Sequence, residues 1–219
     1  MTSDSPLNNF FEKIFCINLD RRSDRWNNCV DIFNNNNLSV ERVSAFDSNN
    51  LRLPVPFKGQ LANTISMLEI YKKAKELDLD NVLILEDDVY FEDNIQSKFE
   101  SLKNQIPNDW DIIYFGANNS GGLHQISENI YKVSMSFTTH MYAVRKKIFD
   151  SLIENFSQIV KNNIEKETQP AHCIGSDFLL GHFQKNNNCY VIRPHLAFQR
   201  PDFSDIEMHN VNYDPFLKK

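Results

Sequence analysis

Three consecutive acidic residues, Glu86, Asp87 and Asp88, directly follow the apolar run NVLIL at residues 81–85. Neighbouring carboxylates raise each other's pKa, so such a cluster is unfavourable unless a cation neutralises it. Glu86 and Asp88 are two residues apart and point the same way in extended backbone, so that they could share one ion. Oxygen ligands suit Mg²⁺ or Mn²⁺, which in turn bind phosphate oxygens. The residues alone leave a metal site and a solvated turn equally open.

A second polar segment, NLDRRSDR at residues 18–25, begins where the apolar run KIFCIN ends. It offers three guanidinium groups beside amide and carboxylate groups. Such a set suits a nucleotide, with arginine on phosphate and Asn or Asp on the base or ribose. The alternative is a charged first helical turn with Arg–Asp pairs at the surface. The usual phosphate-binding loops, GxxxxGK[ST] and GxGxxG, are absent from the sequence.

Asp177 and two histidines complete the set of residues that could do chemistry. Asp177 follows Ser176, and it could either cap a helix that begins there or act as a general base toward a hydroxyl. His195 follows the last predicted strand and is a candidate metal ligand. His140 lies in the apolar-leaning stretch TTHMY, which is typical of a core histidine.

Alternating apolar runs and helical periodicities must position these residues. The predicted strands cover residues 13–18, 40–45, 81–85, 110–115, 131–133, 138–144 and 190–192. The predicted helices run from the N-cap Ser23 to the Asn run at 34–37, and over 59–77, 95–102, 147–160 and 176–183. This alternation predicts an α/β domain with a mainly parallel central sheet flanked by helices. In such sheets ligands bind outside the carboxyl ends of the strands, where both polar segments fall.

Composition limits the function classes further. The 219 residues fit one domain over 1–219, of which we expect residues 1–10 to be flexible. Lys and Arg total 23 against 29 Asp and Glu, a net charge of −6 that argues against a nucleic-acid partner. The four cysteines fit no zinc spacing, and we expect them to be reduced. No signal peptide or apolar membrane span is visible, so the sequence predicts a cytoplasmic protein.

The order of the motifs resembles glycosyltransferase family 25, the family of lipopolysaccharide-type β-galactosyltransferases and collagen hydroxylysine galactosyltransferases. The matching pieces, spread over about residues 11–200, are INLDRR with DR (17–25), GQLANTIS (59–66) into Tyr71, ILEDDV (84–89), WDIIYFG (110–116), THMY (139–142) and SDFL (176–179). The resemblance implies a GT-A type fold, a UDP-sugar donor, inversion at the anomeric carbon and a bound Mn²⁺ or Mg²⁺. Asn63 and Met67 depart from the family, which usually has Cys and His there.

Residues and resemblance together predict the roles in the site. Asp88 would ligate the metal with Glu86 or Asp87 assisting and His195 or His209 as a further ligand, and Asp177 would take the proton from the acceptor hydroxyl. The residues predicted to bind the nucleotide sugar are Asn18, Leu19, Arg21, Asp24, Arg25, Asn63, Glu86 and Asp87.

The resemblance implies galactose as the transferred sugar and leaves glucose and N-acetylglucosamine open. The acceptor would be a hydroxyl of a glycan or of hydroxylysine in a collagen-like protein. One alternative is a nucleotide-sugar- or carbohydrate-binding protein of the same fold without activity. Another is a metal-dependent phosphohydrolase, which would need further metal ligands that the spacing of the six histidines does not offer.

Overall fold

The computed structural model describes residues 5–51, 57–165 and 175–213. The strands are β1 (Lys13–Asn18), β2 (Glu41–Ser44), β3 (Asn81–Glu86), β4 (Val89–Phe91), β5 (Ile112–Tyr114), β6 (Asn118–Asn119), β7 (Leu123–Gln125), β8 (Ile130–Val133), β9 (Ser136–Phe137), β10 (Met141–Arg145), β11 (Cys189–Ile192), β12 (Ala197–Gln199), β13 (Asp202–Ser204) and β14 (His209–Val211). The helices are α1 (Pro6–Phe10), α2 (Ser23–Asn35), α3 (Lys58–Glu76), α4 (Ile95–Leu102), α5 (Phe149–Glu165) and α6 (Ser176–Gln184).

A central sheet of eight described strands has the order β2-β1-β3-β10-β5-β11-β8-β7. Six of these strands run in one direction, and β10 and β8 run in the other. The α/β fold with a mainly parallel sheet is therefore confirmed. The strand β8 is reversed because only a short turn separates it from β7, whereas a parallel connection needs a longer crossover. Three two-stranded ribbons, β4–β12, β13–β14 and β6–β9, lie outside the sheet.

Helices cover both faces of the sheet because successive strand residues point to opposite sides. Leu83 and Leu85 face the core beneath α1, α2 and α4. Val82 and Ile84, the alternate positions of the same strand, face the core beneath α3, α5 and α6. Burial on both faces explains why this strand is a continuous apolar run rather than an alternating one.

Three local predictions were wrong. Residues 6–10, expected to be flexible, form α1, because Leu7 is buried in the core that also contains Phe99 of α4. Ser23 is the first residue of α2 rather than its N-cap, which is Arg22 and makes no side-chain capping bond. The predicted strand over 138–144 begins only at Met141, in β10.

The described cysteines lie in the interior of the fold. Cys16, Cys29 and Cys189 are buried free thiols, and Cys173 lies outside the described residues. Within the described ranges, no helix combines the length and the apolar character that a membrane crossing requires.

Candidate active site

A cleft opens at the carboxyl ends of β1 and β3, where the topology predicts a ligand. Its walls come from the end of β1 and the loop after it, the start of α2, the segment after β2, the first half of α3, the acidic triplet and the stretch 199–206. The predicted site residues that line it are Asn18, Leu19, Arg21, Arg25, Asn63, Glu86, Asp87 and Asp88. The two polar segments singled out in the sequence therefore form one site.

Asp87 connects the acidic triplet to the end of β1 and the start of α2, which flank the loop after β1. Asn18 Nδ2 donates to Asp87 Oδ2 at 2.6 Å, and Arg25 Nη1 donates to Asp87 Oδ1 at 2.8 Å. Burial raises the pKa of Asp87, and the Arg25 charge opposes that rise. Because both of its oxygens are engaged, this carboxylate is committed to the structure of the site.

Asp88 is buried with one oxygen unsatisfied. Gln199 Nε2 donates to Asp88 Oδ2 at 2.9 Å, and Arg25 Nη1 lies 3.8 Å from the same oxygen. Asp88 Oδ1 is buried and has no hydrogen-bond partner among the described residues. Burial raises the pKa of Asp88. A buried acceptor of this kind costs about 1–3 kcal/mol, so it marks a place where a ligand would complete the bonding.

Glu86 is the third acid of the cluster. Thr139 Oγ1 donates to Glu86 Oε1 at 2.6 Å. Burial, and then the neighbouring negative charge of Asp88, raise the pKa of Glu86 to about 8. The extended backbone expected across the triplet is wrong, because Asp87 and Asp88 form a turn between β3 and β4. Glu86 and Asp88 nevertheless both line the cleft.

The donor set fits a divalent cation that is shared with a phosphorylated ligand. Glu86 and Asp88 offer carboxylate oxygens, and one of those oxygens lacks a partner. No three His, Cys, Asp or Glu side chains of the described residues are grouped as a complete metal site. Mg²⁺-type ions commonly take only one or two carboxylates, and phosphate oxygens and water supply the remaining ligands.

Asp177 lies beside the cleft rather than in its lining. It occupies the first turn of α6, where Asp177 Oδ1 accepts the Phe178 N–H at 2.7 Å. The preceding Ser176 hydroxyl donates to Asn63, which does line the cleft. Burial raises the pKa of Asp177, and its charge in turn raises that of Glu86. The carboxylate is therefore within electrostatic reach of the acidic triplet.

Two predicted site residues lie elsewhere. Asp24 is an exposed partner of Arg22 at 2.9 Å, and this hydrogen bond lowers the pKa of Asp24 to about 2. His195 is not brought to the acidic triplet. The strand β12 is antiparallel to β4, so Gln199 lies beside Asp88 while the residues that precede β12 lie beside the far end of β4.

Asn63 and Met67, the two residues that depart from the family pattern, have different surroundings. Met67 is fully buried, and the Tyr142 hydroxyl donates to its sulfur at 3.4 Å. Asn63 lines the cleft. Only Asn63 is therefore placed to touch a ligand. His140 is a core histidine, as its sequence context predicts, because it is fully buried and bonded to the Ala197 carbonyl at 3.1 Å.

Sequence analysis missed the stretch 199–206, which begins with the last residue of β12. Gln199, Ser204, Asp205 and Ile206 all line the cleft. This part of the chain has no helical or strand periodicity long enough to predict an element. The available signal was charge, because Asp202 and Asp205 complement the arginines of residues 18–25.

Comparisons with known proteins agree with this geometry. The family model "Glycosyltransferase family 25 (LPS biosynthesis protein)" matches residues 57–170. Procollagen galactosyltransferase 2 of Homo sapiens is 29% identical over 129 residues, which cover 48% of this chain and 21% of the relative. A glycosyltransferase 25 family member of Drosophila pseudoobscura pseudoobscura is 30% identical over 127 residues, with 48% and 20% covered. The chain thus spans about a fifth of the length of these relatives.

Solved structures are more distantly similar. A glycosyltransferase involved in glycosylation of the major capsid of PBCV-1 has a TM-score of 0.43 at 10% identity, with 83% of this chain and 92% of that chain covered. The protein A197 from STIV has a TM-score of 0.47 at 14% identity, with 91% and 92% covered. The family assignment depends instead on the sequence model, which spans more than half of the chain. The chain belongs to glycosyltransferase family 25.

Proposed function

We propose that this chain is an inverting, metal-dependent glycosyltransferase that moves a hexose from a UDP-sugar to a hydroxyl group. Galactose is the proposed sugar, because relatives of this chain are named procollagen galactosyltransferases. The proposed acceptor is a hydroxyl of a glycan or of hydroxylysine in a collagen-like protein. Family membership and the position of the cleft at the carboxyl ends of β1 and β3 support this assignment.

One observation carries the proposal: the unsatisfied Oδ1 of buried Asp88 at the wall of the cleft. Asp88 and Glu86 would hold Mn²⁺ or Mg²⁺. The ion, when bound, would stabilise the negative charge that develops on the departing UDP. Asp87 would keep the loop after β1 in place through Asn18 and Arg25. Arg21 in that loop and Asn18 at the end of β1 would contact the nucleotide.

Asp177 is the proposed general base. Its Oδ1 accepts the backbone N–H of Phe178 at 2.7 Å, which fixes the orientation of the carboxylate. Burial raises the pKa of Asp177, and a carboxylate with a higher pKa is a stronger base in its ionised form. Asp177 would take the proton of the acceptor hydroxyl as that oxygen attacks the sugar. General-base assistance of this kind accelerates reactions by roughly 10²–10⁴-fold.

Release of UDP from UDP-galactose, with and without an acceptor sugar, tests the proposal. We expect Mn²⁺-dependent release by the wild-type chain and loss of release in Asp88→Asn. The matched control is Asp111→Asn, which neutralises a different buried carboxylate outside the cleft. Binding of UDP-galactose without any release of UDP would instead indicate a carbohydrate-binding protein.

A further inference from the structure

A hairpin from the end of the described chain closes one side of the cleft. We define the strap as residues 202–211, which comprise β13, a turn and β14. Ser204, Asp205 and Ile206 of the strap belong to the lining of the cleft. A ligand that fills the cleft must therefore meet the strap.

One strap carboxylate bridges two arginines of the loop after β1. Asp205 Oδ1 lies 2.7 Å from Arg21 Nη1, and Asp205 Oδ2 lies 2.5 Å from Arg22 Nη1. A single anion held between two guanidinium groups is the arrangement by which proteins bind phosphate groups. Here the anion is part of the chain itself. Arg21 is 41% exposed and lines the cleft, so a dissolved anion can reach it.

Arg25 links the strap to the acidic triplet. Its Nε lies 3.2 Å from Asp202 Oδ2, and its Nη2 donates to the Phe203 carbonyl at 2.8 Å. Its Nη1 donates to Asp87 at 2.8 Å. The position of the strap is thereby connected to the carboxylates proposed to bind metal.

The strap approaches α3 closely only because of Gly59. A Cβ atom added at Gly59 would lie 2.8 Å from Ile206 Cα and 3.1 Å from its carbonyl oxygen. Both neighbours are backbone atoms, so a side chain there would push the strap away. In contrast, Phe203 and Met208 of the strap are exposed, at 39% and 64%. Ion pairs rather than apolar burial therefore hold much of the strap in place, and such pairs yield to a competing anion.

We propose that Arg21 and Arg22 form a binding site for a diphosphate-type anion and that Asp205 occupies this site in the free chain. An anion with more negative charge than a carboxylate displaces Asp205 and releases the strap. The inference rests on the proposed function only in naming the natural anion as the diphosphate of a nucleotide. Arg22, one of the three guanidinium groups that the sequence offers for phosphate, is thereby assigned to this site together with Arg21.

Calorimetry with inorganic pyrophosphate, in buffer that contains a chelator and no sugar, tests this competition. We expect Asp205→Asn to bind pyrophosphate about tenfold more tightly than wild type, because one internal competitor is removed. Asp150→Asn is the matched control, since it makes the same charge change at an exposed acid paired with Lys75. Affinity in Asp205→Asn that is equal to or weaker than that in Asp150→Asn would overturn the proposal.

A second pair of variants, neither of which changes charge, compares a substitution that should move the strap with one that should not. Gly59→Ala should increase amide hydrogen exchange in residues 202–211 and leave it unchanged elsewhere. Gly122→Ala is the control, because nothing lies within 4 Å of a Cβ added there. In the wild type, pyrophosphate should produce the same increase in the strap.

Pyrophosphate binding with unchanged exchange in the strap would contradict displacement. Thermal unfolding of each variant confirms that it is folded. Neither experiment measures sugar transfer, so an inactive transferase can still pass this test and an active one can fail it.

Discussion

Asp88 and Asp111 are two buried aspartates with different surroundings. Asp111, 1% exposed, precedes β5, where Lys147 Nζ lies 3.0 Å from its Oδ1 and the Asn188 N–H donates to its Oδ2 at 2.9 Å. Asp88, 8% exposed, follows β3, and its Oδ1 has no partner among the described residues. Burial is common to both. Two features distinguish Asp88, the proposed functional acid, from the structural Asp111. One carboxylate oxygen of Asp88 lacks a hydrogen-bond partner among the described residues, and Asp88 lines the cleft at the carboxyl end of a strand.

The largest expected effect tests the Asp88 side of this comparison. Asp88→Asn keeps the volume of the side chain and removes its charge, so we expect the fold to persist and Mn²⁺-dependent turnover to fall by about three orders of magnitude or more. The UDP-release assay at saturating Mn²⁺ measures this. Full turnover in a folded Asp88→Asn chain, or in excess chelator, would show that Asp88 does not anchor a metal.

Asp177 sharpens the comparison because it is half-buried, accepts the Phe178 N–H and lies beside the cleft. If it is the base, Asp177→Asn should lower turnover about 100-fold or more and change donor affinity little, since the interaction matters in the transition state. If it is only part of the helix start, the substitution should be nearly silent. Turnover at saturating donor, together with calorimetric donor affinity, distinguishes the two roles.

His140 shows that an unsatisfied buried atom does not by itself mark a site. His140 Nδ1 has no hydrogen-bond partner among the described residues, yet this side chain does not line the cleft. Burial lowers the pKa of His140 from 6.5 to about 4, so the unfolded chain binds the proton first. The stability is full above pH 6.5, and roughly 3 kcal/mol should be lost as the pH falls from 6.5 to 4.

Urea unfolding of wild type and His140→Gln between pH 4 and 7 measures this dependence. Carboxylates also titrate in this range, so the difference between the two chains is the relevant quantity. An identical slope in both would mean that His140 is not buried in its neutral form.

Asp111 should show the smallest of these effects, confined to stability. Asp111→Asn removes a charged acceptor from Lys147 and the Asn188 N–H, which should cost about 1.5–3 kcal/mol of unfolding free energy. Turnover of the folded fraction should remain at the wild-type value. A loss of turnover larger than the loss of folded protein would place Asp111 in the chemistry and remove the distinction drawn from Asp88.

Local patterns predicted the elements that hold the site. The run KIFCIN became β1 with the predicted bounds, and the periodicity over 95–102 became α4 with the predicted bounds. The first is a continuous apolar run, and in the second Ile95, Phe99 and Leu102 recur at helical spacing. The acidic triplet and the loop after β1 also meet as predicted, because strands β1 and β3 are adjacent and parallel.

Long-range contacts could not be predicted in this way. Asp205 lies 184 residues from Arg21 along the chain, and the strands that carry the strap are three residues each. No local periodicity encodes such a contact. The Asp24 carboxylate shows the converse, because Arg22 two residues away satisfies it and leaves it outside the cleft. Residue types in the sequence were therefore enough to identify the arginine-rich loop. Only the fold shows that Arg21 lines the cleft and that Asp24 does not.

Titration of the chain with UDP, in Mn²⁺ and in chelator, tests the central claim most directly. We predict that UDP binds more tightly in Mn²⁺ than in chelator and more tightly than ADP or GDP does. Asp88→Asn should lose the Mn²⁺-dependent part of the affinity, and Asp111→Asn should retain it. Equal affinity of the wild-type chain for UDP in Mn²⁺ and in chelator would contradict the account.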